Sequence, residues 1–407
     1  MLPQDFTTDV VKTAIQLVVE NAFKYGLPAA KRKWEQVKKE NVGKTPAFAL
    51  KGDLVNRESV MRAFNAALDE RDTTRVIYLC GPGGAGKTRL LEEVSRKITN
   101  STKSLRWAGI FDLYHTDLHN ILRLQSAIIE SLDTDKRYFA KYRDAKEQFS
   151  QKRRDGIFSL TPDASVHAEV AALNQLFVSE LNQFTSRYRA VLAFDTLENI
   201  ADEQDLIQQI FGFESDKGTL STKQWLLDLS RTVVNTVILL AGRPNPDLRL
   251  HLEQINQANE GRVEVIEIGG LTRSDAAHLL NAYIRKAPRP IASLLTQNAD
   301  RVWQITKGLP VQLALMVELV FQTPQILENQ GAPDVSETGK EIVRTFFDCE
   351  NPDKRPLFFL ALARKGLAPD LFHFLEPKWS KEECAQRLAK TEQLALVKKR
   401  HGDNELF

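Results

Sequence analysis

The eight residues Gly81–Thr88 carry the clearest chemistry in this sequence. They read Gly-Pro-Gly-Gly-Ala-Gly-Lys-Thr and fit the pattern G-x-x-x-x-G-K-[ST]. An apolar run, Val76–Cys80, precedes them, and an amphipathic helical pattern, Leu90–Ile98, follows. Glycines allow backbone N–H groups to surround phosphate oxygens, Lys87 offers charge to the β- and γ-phosphates, and Thr88 offers a hydroxyl to Mg²⁺. We expect a nucleoside triphosphate here; the alternative is a glycine-rich turn that binds nothing.

A second apolar run ends in a carboxylate. Asp195 follows Ala190–Phe194 and is the candidate partner of Thr88 in holding Mg²⁺; the alternative is a strand-end aspartate that caps the next helix. Glu198 is the candidate general base that polarises the attacking water. The alternatives for Glu198 are a helix-start carboxylate and an ion-pair partner.

Arg243 follows a third apolar run, Thr236–Ala241. Ligands of parallel sheets lie at the carboxyl ends of the strands, so Arg243 is expected to point toward the γ-phosphate. The alternative is a solvent-facing arginine before a proline turn. The predicted catalytic residues are Lys87, Asp195, Glu198 and Arg243.

Two histidines and two aspartates lie within Phe111–His119. A His-x-x-x-His spacing on a helix can bind a metal. This segment lacks the glutamate of a zincin and follows a strand. We therefore expect a loop near the γ-phosphate or an N-cap region, with Asp117 capping the helix that continues through Ile121.

Apolar strand-like runs alternate with helical stretches through the middle of the chain, which predicts a parallel sheet with helices on both faces. The runs are Val76–Cys80, Leu105–Phe111, Ala190–Phe194, Thr236–Ala241 and Val263–Ile268. The predicted domains are a helical segment over 1–45, a P-loop nucleotide-binding domain over 46–268, a helical subdomain over 269–335 and a further, C-terminal domain over 336–407. The first segment is interpreted as a helical hairpin or linker, the alternative being a membrane-active or homotypic signalling segment.

Composition excludes several classes of protein. The 407 residues include 55 Lys or Arg and 53 Asp or Glu, a formal net charge of +2, so no partner is held by the charge of the whole chain. The cysteines, Cys80, Cys349 and Cys384, are too far apart in sequence for a disulfide framework or a zinc cluster. No apolar run is long enough for a transmembrane helix, and no signal-peptide pattern opens the sequence. We expect a cytoplasmic protein.

Taken together, these motifs resemble the STAND class of P-loop ATPases, the NB-ARC- and NACHT-like relatives of AAA+ proteins. Further segments that carry the resemblance are Val55–Glu58, with Asn56 where the family has Gly, Phe194–Glu198 in the form of bacterial members, Gly270–Ala276, and Lys307–Leu315, which is similar to the Gly-Leu-Pro-Leu motif. The resemblance implies that the domain over 336–407 is a winged-helix domain that is truncated here. Ser380 and Glu383 predict a capping box for one of its helices. The sequence ends at Phe407, before the family's Met-His-Asp-like motif, so we expect it to be part of a longer protein.

The resemblance implies an ATP/ADP switch, in which slow Mg²⁺-dependent hydrolysis controls opening and oligomerisation in signalling, with a bacterial source and a role in defence. It places Arg57 at the adenine pocket and Pro310 near the base; the alternative for Pro310 is a helix-start proline. Protein partners are expected through the N-terminal helices. The nucleotide-binding residues expected are Arg57, Gly81, Gly83, Gly84, Ala85, Gly86, Lys87, Thr88, Arg89 and Pro310.

Two other functions stay open. The first is an origin-recognition-like AAA+ ATPase with a DNA-binding winged helix. Against it, charge is mixed along the predicted recognition helix, and only Lys398–His401 is wholly basic, so nucleic acid is not an expected partner. The second is a module that holds nucleotide without turnover.

Overall fold

The computed structural model describes residues 57–70, 72–99, 104–155, 164–201, 221–258, 262–322, 327 and 369–391. The chain divides into two compact units. The sheet unit contains Arg57–Gly81 and Lys87–Ile268. The helical unit includes Pro82–Gly86 and the residues from Gly269 onward. The predictions for residues 1–45, and for most of the winged-helix domain, lie outside the described residues.

The sheet unit is built on five parallel strands in the order β2-β3-β4-β1-β5. Each strand begins and ends within one residue of the ends of a predicted apolar run. The predicted parallel α/β fold is therefore confirmed. The central strands β3 and β4 are buried along their whole length, as expected where helices cover both faces. The strands are β1 Arg75–Cys80, β2 Leu105–Asp112, β3 Arg189–Asp195, β4 Thr236–Gly242 and β5 Val263–Glu267.

Alternate residues of β1, β3 and β4 contribute to one core on one face of the sheet. Tyr78 and Leu192 join an aromatic-rich cluster with Phe177 and Trp225, whereas Leu79 is buried outside that cluster. The helices of this unit are α1 Glu58–Asp69, α2 Lys87–Thr99, α3 Ile121–Leu132, α4 Ala140–Arg154, α5 Ala164–Thr185, α6 Glu198–Ala201, α7 Thr222–Thr232 and α8 Pro246–Ala258.

The predicted cap of α3 is wrong. A short 3₁₀ helix, Thr116–His119, occupies the segment in which Asp117 was expected to begin the helix. Asn120 is the N-cap instead, and its side chain accepts a hydrogen bond from the Arg123 backbone N–H. The extra turn shifts the helix start by three residues because it inserts its own hydrogen bonds before α3.

The helical unit packs α9 to α12 around their own apolar core. The predicted capping box at Ser380 is confirmed: its hydroxyl accepts from the Glu383 N–H at 3.1 Å, and its own N–H donates to the Glu383 carboxylate at 2.8 Å. The helices are α9 Arg273–Ile284, α10 Arg289–Gln297, α11 Ala299–Thr306, α12 Pro310–Gln322, α13 Pro369–Leu375 and α14 Lys381–Thr391. None of the helices that the structure describes combines the length and apolar character needed to span a bilayer.

Two backbone segments of the helical unit cross in close contact before α12. The Leu271 N–H donates to the Gly308 carbonyl at 2.8 Å. A Cβ on Gly270 would lie 2.1 Å from the Lys307 carbonyl oxygen, and one on Gly308, where φ is +69°, would lie 2.2 Å from the Leu271 oxygen. The crossing therefore requires glycine at both positions.

The Gly270→Ala variant is expected to lower the free energy of unfolding by about 1–3 kcal/mol, because the added methyl group forces two backbones apart. Gly269→Ala is the matched control, since a Cβ there meets nothing within 4 Å. Chemical denaturation of both variants measures the difference. Equal stabilities would contradict the close crossing.

Candidate nucleotide site

The candidate site lies at the carboxyl ends of the sheet. Lys87 and Thr88 open α2, Asp195 ends β3, Glu198 begins α6 and Arg243 directly follows β4. From β1 the chain crosses to β2 at one edge, and from β4 it crosses to β5 at the other. Ligands of open α/β sheets bind at such a switch in strand order.

Thr88 and Asp195 are in direct contact. The Thr88 hydroxyl donates to Asp195 Oδ2 at 2.6 Å, and the second carboxylate oxygen accepts from the Thr196 N–H at 2.9 Å. Asp195 is buried, with 5% of its surface exposed. A hydroxyl and a carboxylate oxygen side by side suit Mg²⁺, which prefers oxygen ligands and is usually shared with substrate phosphates.

Lys87 is buried and lies over the start of its own loop. Its ammonium donates to the Gly81 carbonyl at 2.8 Å. Lys87 is also the first residue of the 13-residue helix α2, whose N-terminus favours anions. The Lys87 ammonium and the N-terminus of α2 therefore favour an anion at the same place.

The loop before Lys87 has the backbone geometry of an anion-binding turn. Gly84 and Gly86 have φ of +76° and +93°, a conformation that directs successive N–H groups to one side. Within the helical unit, the Val311 N–H lies 3.4 Å from the Gly84 carbonyl, and a Cβ on Gly84 would meet Val311 Cγ1 at 2.1 Å. Pro310 is the first residue of α12, which is the helix-start position given as the alternative to a contact with the nucleotide base. Gly84 therefore supports both the turn and this close contact.

Glu198 and Arg243 form an ion pair. Arg243 Nε lies 3.2 Å from Glu198 Oε1, and the Arg243 backbone N–H donates to Glu198 Oε2 at 3.1 Å. Both side chains are half-buried, so Arg243 is not the solvent-facing arginine of its alternative interpretation. Glu198 begins a helix and pairs with a cation, which are the two alternatives to its role as a general base.

Tyr78 of β1 contacts the backbone of Arg243. Its hydroxyl donates to the Arg243 carbonyl at 2.7 Å. Burial raises the pKa of Tyr78 well above its usual range, so the phenol remains a neutral donor at physiological pH. Burial likewise raises the pKa of the Cys80 thiol at the end of the same strand, which keeps that side chain uncharged next to the loop.

Two predicted nucleotide contacts are arginines near helix starts. Arg57 directly precedes α1, and its carbonyl accepts from the Met61 N–H at 3.1 Å. Arg89 lies in the first turn of α2 and pairs with Glu92 at 3.0 Å. Their contacts with a nucleotide remain predictions.

Asp112 and Thr196 are site residues that the sequence did not single out. Asp112 ends β2 and is the register partner of Asp195. Its Oδ1 accepts from the Thr196 hydroxyl at 2.7 Å and from the Tyr114 N–H at 3.0 Å. Thr196 has φ of +62°, a conformation that costs a non-glycine residue roughly 1–2 kcal/mol. The sequence signal for Asp112 is a carboxylate that directly follows the apolar run Leu105–Phe111, the same kind of signal that indicated Asp195.

Among the described residues, no group of three or more His, Cys, Asp or Glu side chains is placed to hold a metal ion. A metal at this site would therefore depend on Thr88, Asp195 and a phosphate ligand.

A comparison with known families covers the phosphate loop and the strands that follow it. The model of the AAA ATPase domain matches residues 53–239. The match supports a P-loop ATPase domain of the AAA+ type. It includes the phosphate loop, Asp195 and Glu198 and ends within β4, before Arg243.

Solved structures of origin-recognition proteins also match this chain. ORC1 of Aeropyrum pernix in complex with DNA is 12% identical, with 88% of this chain and 86% of that chain covered and a TM-score of 0.36. ORC2 of the same organism in its ADP form is 12% identical, with 89% and 90% covered and a TM-score of 0.38. Drosophila ORC bound to DNA is 10% identical, with 93% and 95% covered and a TM-score of 0.35. No curated protein matches the chain.

Two of the three structures contain DNA. Because the TM-scores are below 0.4, this likeness does not distinguish DNA handling from a STAND-type switch.

Proposed function

We propose that the chain binds ATP and ADP with Mg²⁺ and hydrolyses ATP. The observation that carries the proposal is the 2.6 Å contact between Thr88 and Asp195, which are 107 positions apart. A glycine-rich turn without a ligand would not need a buried carboxylate from another strand at its end. The AAA ATPase domain match over residues 53–239 supports the same activity.

Each candidate side chain has a role in this proposal. Lys87 binds phosphate oxygens, and Thr88 and Asp195 hold Mg²⁺, which neutralises charge on the phosphates. Glu198 accepts a proton from the attacking water. Arg243 stabilises charge on the γ-phosphate.

The ion pair between Glu198 and Arg243 supports slow hydrolysis. While Arg243 lies against the carboxylate, it occupies the oxygen that would accept a proton from water, and its guanidinium is held at Glu198. A γ-phosphate that attracts the guanidinium would release Glu198 as a base. ADP lacks that phosphate, so the pair gives the site a preference between the two nucleotides, which any nucleotide-operated switch requires.

The output of this ATPase has two candidates. The first is the STAND-type switch, in which the ATP-bound chain oligomerises and signals to protein partners. The second is DNA handling of the origin-recognition type, which the named solved structures exemplify. In the described part of the winged-helix segment, Lys381 pairs with Asp370 at 2.9 Å and the Arg387 guanidinium lies 4.0 Å from the centre of the Trp379 ring. Lys381 is 61% exposed within its pair, so these contacts are compatible with both candidates.

Duplex-DNA binding and solution mass, measured with ADP and with a non-hydrolysable ATP analogue, are expected to separate the two outputs. A signalling switch changes its mass with the nucleotide and shows no specific DNA affinity. A DNA-handling ATPase binds the duplex, and its affinity falls steeply between about 50 and 200 mM salt, because Lys and Arg contacts to phosphate release counterions. DNA binding without a change of mass would contradict the signalling candidate.

A further inference from the structure

Thr196 connects the two candidate acidic groups of the site. It directly follows Asp195, which contacts Thr88, and it lies two residues before Glu198, which pairs with Arg243. The backbone at Thr196 therefore sets the distance and direction between the metal-holding carboxylate and the base.

The chain turns sharply at Thr196 and then lies against the end of β4. After the left-handed residue, the Leu197 N–H donates to the Ala241 carbonyl at 3.2 Å. A Cβ on Gly242 would lie only 2.9 Å from Leu197 Cβ, so the two segments are in close contact. This turn brings the Glu198 carboxylate within reach of the Arg243 backbone N–H.

A threonine is an unusual choice for this backbone conformation. Glycine adopts a positive φ without strain, whereas a β-branched residue does not. Threonine offers a hydroxyl that glycine lacks, and that hydroxyl donates to Asp112 Oδ1 at 2.7 Å. The second contact of Asp112, from the Tyr114 N–H, fixes the carboxylate at the end of β2.

We infer that Asp112 is a positioning residue for ATP hydrolysis: through the Thr196 hydroxyl it holds the strained turn that aligns Glu198 with Asp195. The inference rests on the proposed function. Asp112 acts here as a hydrogen-bond acceptor, and its negative charge is not what the reaction requires.

The test compares variants that keep or remove the contact. Asp112→Ala and Thr196→Val remove it, and each is expected to lower kcat about tenfold or more while KM for ATP changes less than about twofold, since misalignment affects the reaction more than binding. Asp112→Asn keeps an acceptor and Thr196→Ser keeps the donor, so both are expected to retain kcat within about threefold. The double variant Asp112→Ala/Thr196→Val is expected to be no slower than the slower single variant.

Thr272→Val is the matched control for loss of a threonine–aspartate contact. The Thr272 hydroxyl donates to Asp275 Oδ2 at 2.6 Å in the helical unit. Its replacement is expected to lower stability and leave kcat unchanged. Equal loss of kcat in this variant would show that the effect at Thr196 is only structural and would overturn the inference.

A readout independent of turnover is the denaturation midpoint. The shifts caused by Asp112→Ala and Thr196→Val are expected to be non-additive in the double variant, because both remove the same contact. Additive shifts would overturn the inference, as would an Asp112→Asn variant that is as slow as Asp112→Ala and needs more Mg²⁺. Absence of ATP turnover in the wild type would contradict the proposed function itself, whereas turnover that is insensitive to these variants would contradict only the role of Asp112.

Discussion

The Lys87→Ala variant is expected to bind ATP and ADP about a hundredfold more weakly than the wild type. The buried ammonium lies at the N-terminus of α2 and is the cation that the phosphate loop supplies. A hydrogen bond between charged groups in a buried site contributes about 1.5–3 kcal/mol, which corresponds to this change in affinity. Equilibrium titration with a fluorescent ATP analogue measures it.

Lys97→Ala is the control for this substitution. Lys97 is an exposed lysine in the last turn of the same helix, so its loss removes equal charge from α2 without reaching the loop. Nucleotide affinity is expected to stay within about twofold, as is usual for a surface substitution. Unchanged affinity in Lys87→Ala would contradict nucleotide binding by this loop.

The Glu198→Gln variant is expected to bind ATP normally and to hydrolyse it about 10²–10⁴ times more slowly, the usual contribution of a general base. Glutamine keeps the shape of the side chain and an acceptor for the Arg243 N–H, but it cannot take a proton from water. Single-turnover hydrolysis, with binding measured in parallel, separates the chemical step from affinity.

Glu253→Gln is its matched control. Glu253 pairs with Arg249 at 3.1 Å on α8, so that this variant also removes the charge of a glutamate–arginine pair. This pair is more exposed, and hydrolysis is expected to be unchanged. If Glu198→Gln hydrolyses ATP as fast as the wild type, Glu198 has only its ion-pair role.

The strands could be predicted from sequence because each buried strand of a parallel sheet is a continuous apolar run. The contact between Thr88 and Asp195 followed from the phosphate-loop motif together with a strand that ends in a carboxylate. Both signals are local in the sequence, and neither depends on the order of the strands.

The contacts of Arg243 and Asp112 could not be predicted, because they depend on which strands are neighbours. The sequence indicated that Arg243 follows a strand, but not that Glu198 would lie across the end of that strand. In the same way, Asp112 can contact Thr196 only because β2 pairs with β3. The predicted cap at Asp117 failed for a local reason, because a 3₁₀ turn precedes α3.

The most direct test of the account is single-turnover hydrolysis of ATP by the purified chain, with Mg²⁺ and with Mg²⁺ removed by a chelator. The account predicts that protein in excess over ATP converts it fully to ADP, slowly, only with Mg²⁺, and not in the Lys87→Ala variant. ATP that stays intact with the wild-type chain, or is hydrolysed equally fast by Lys87→Ala, would contradict it.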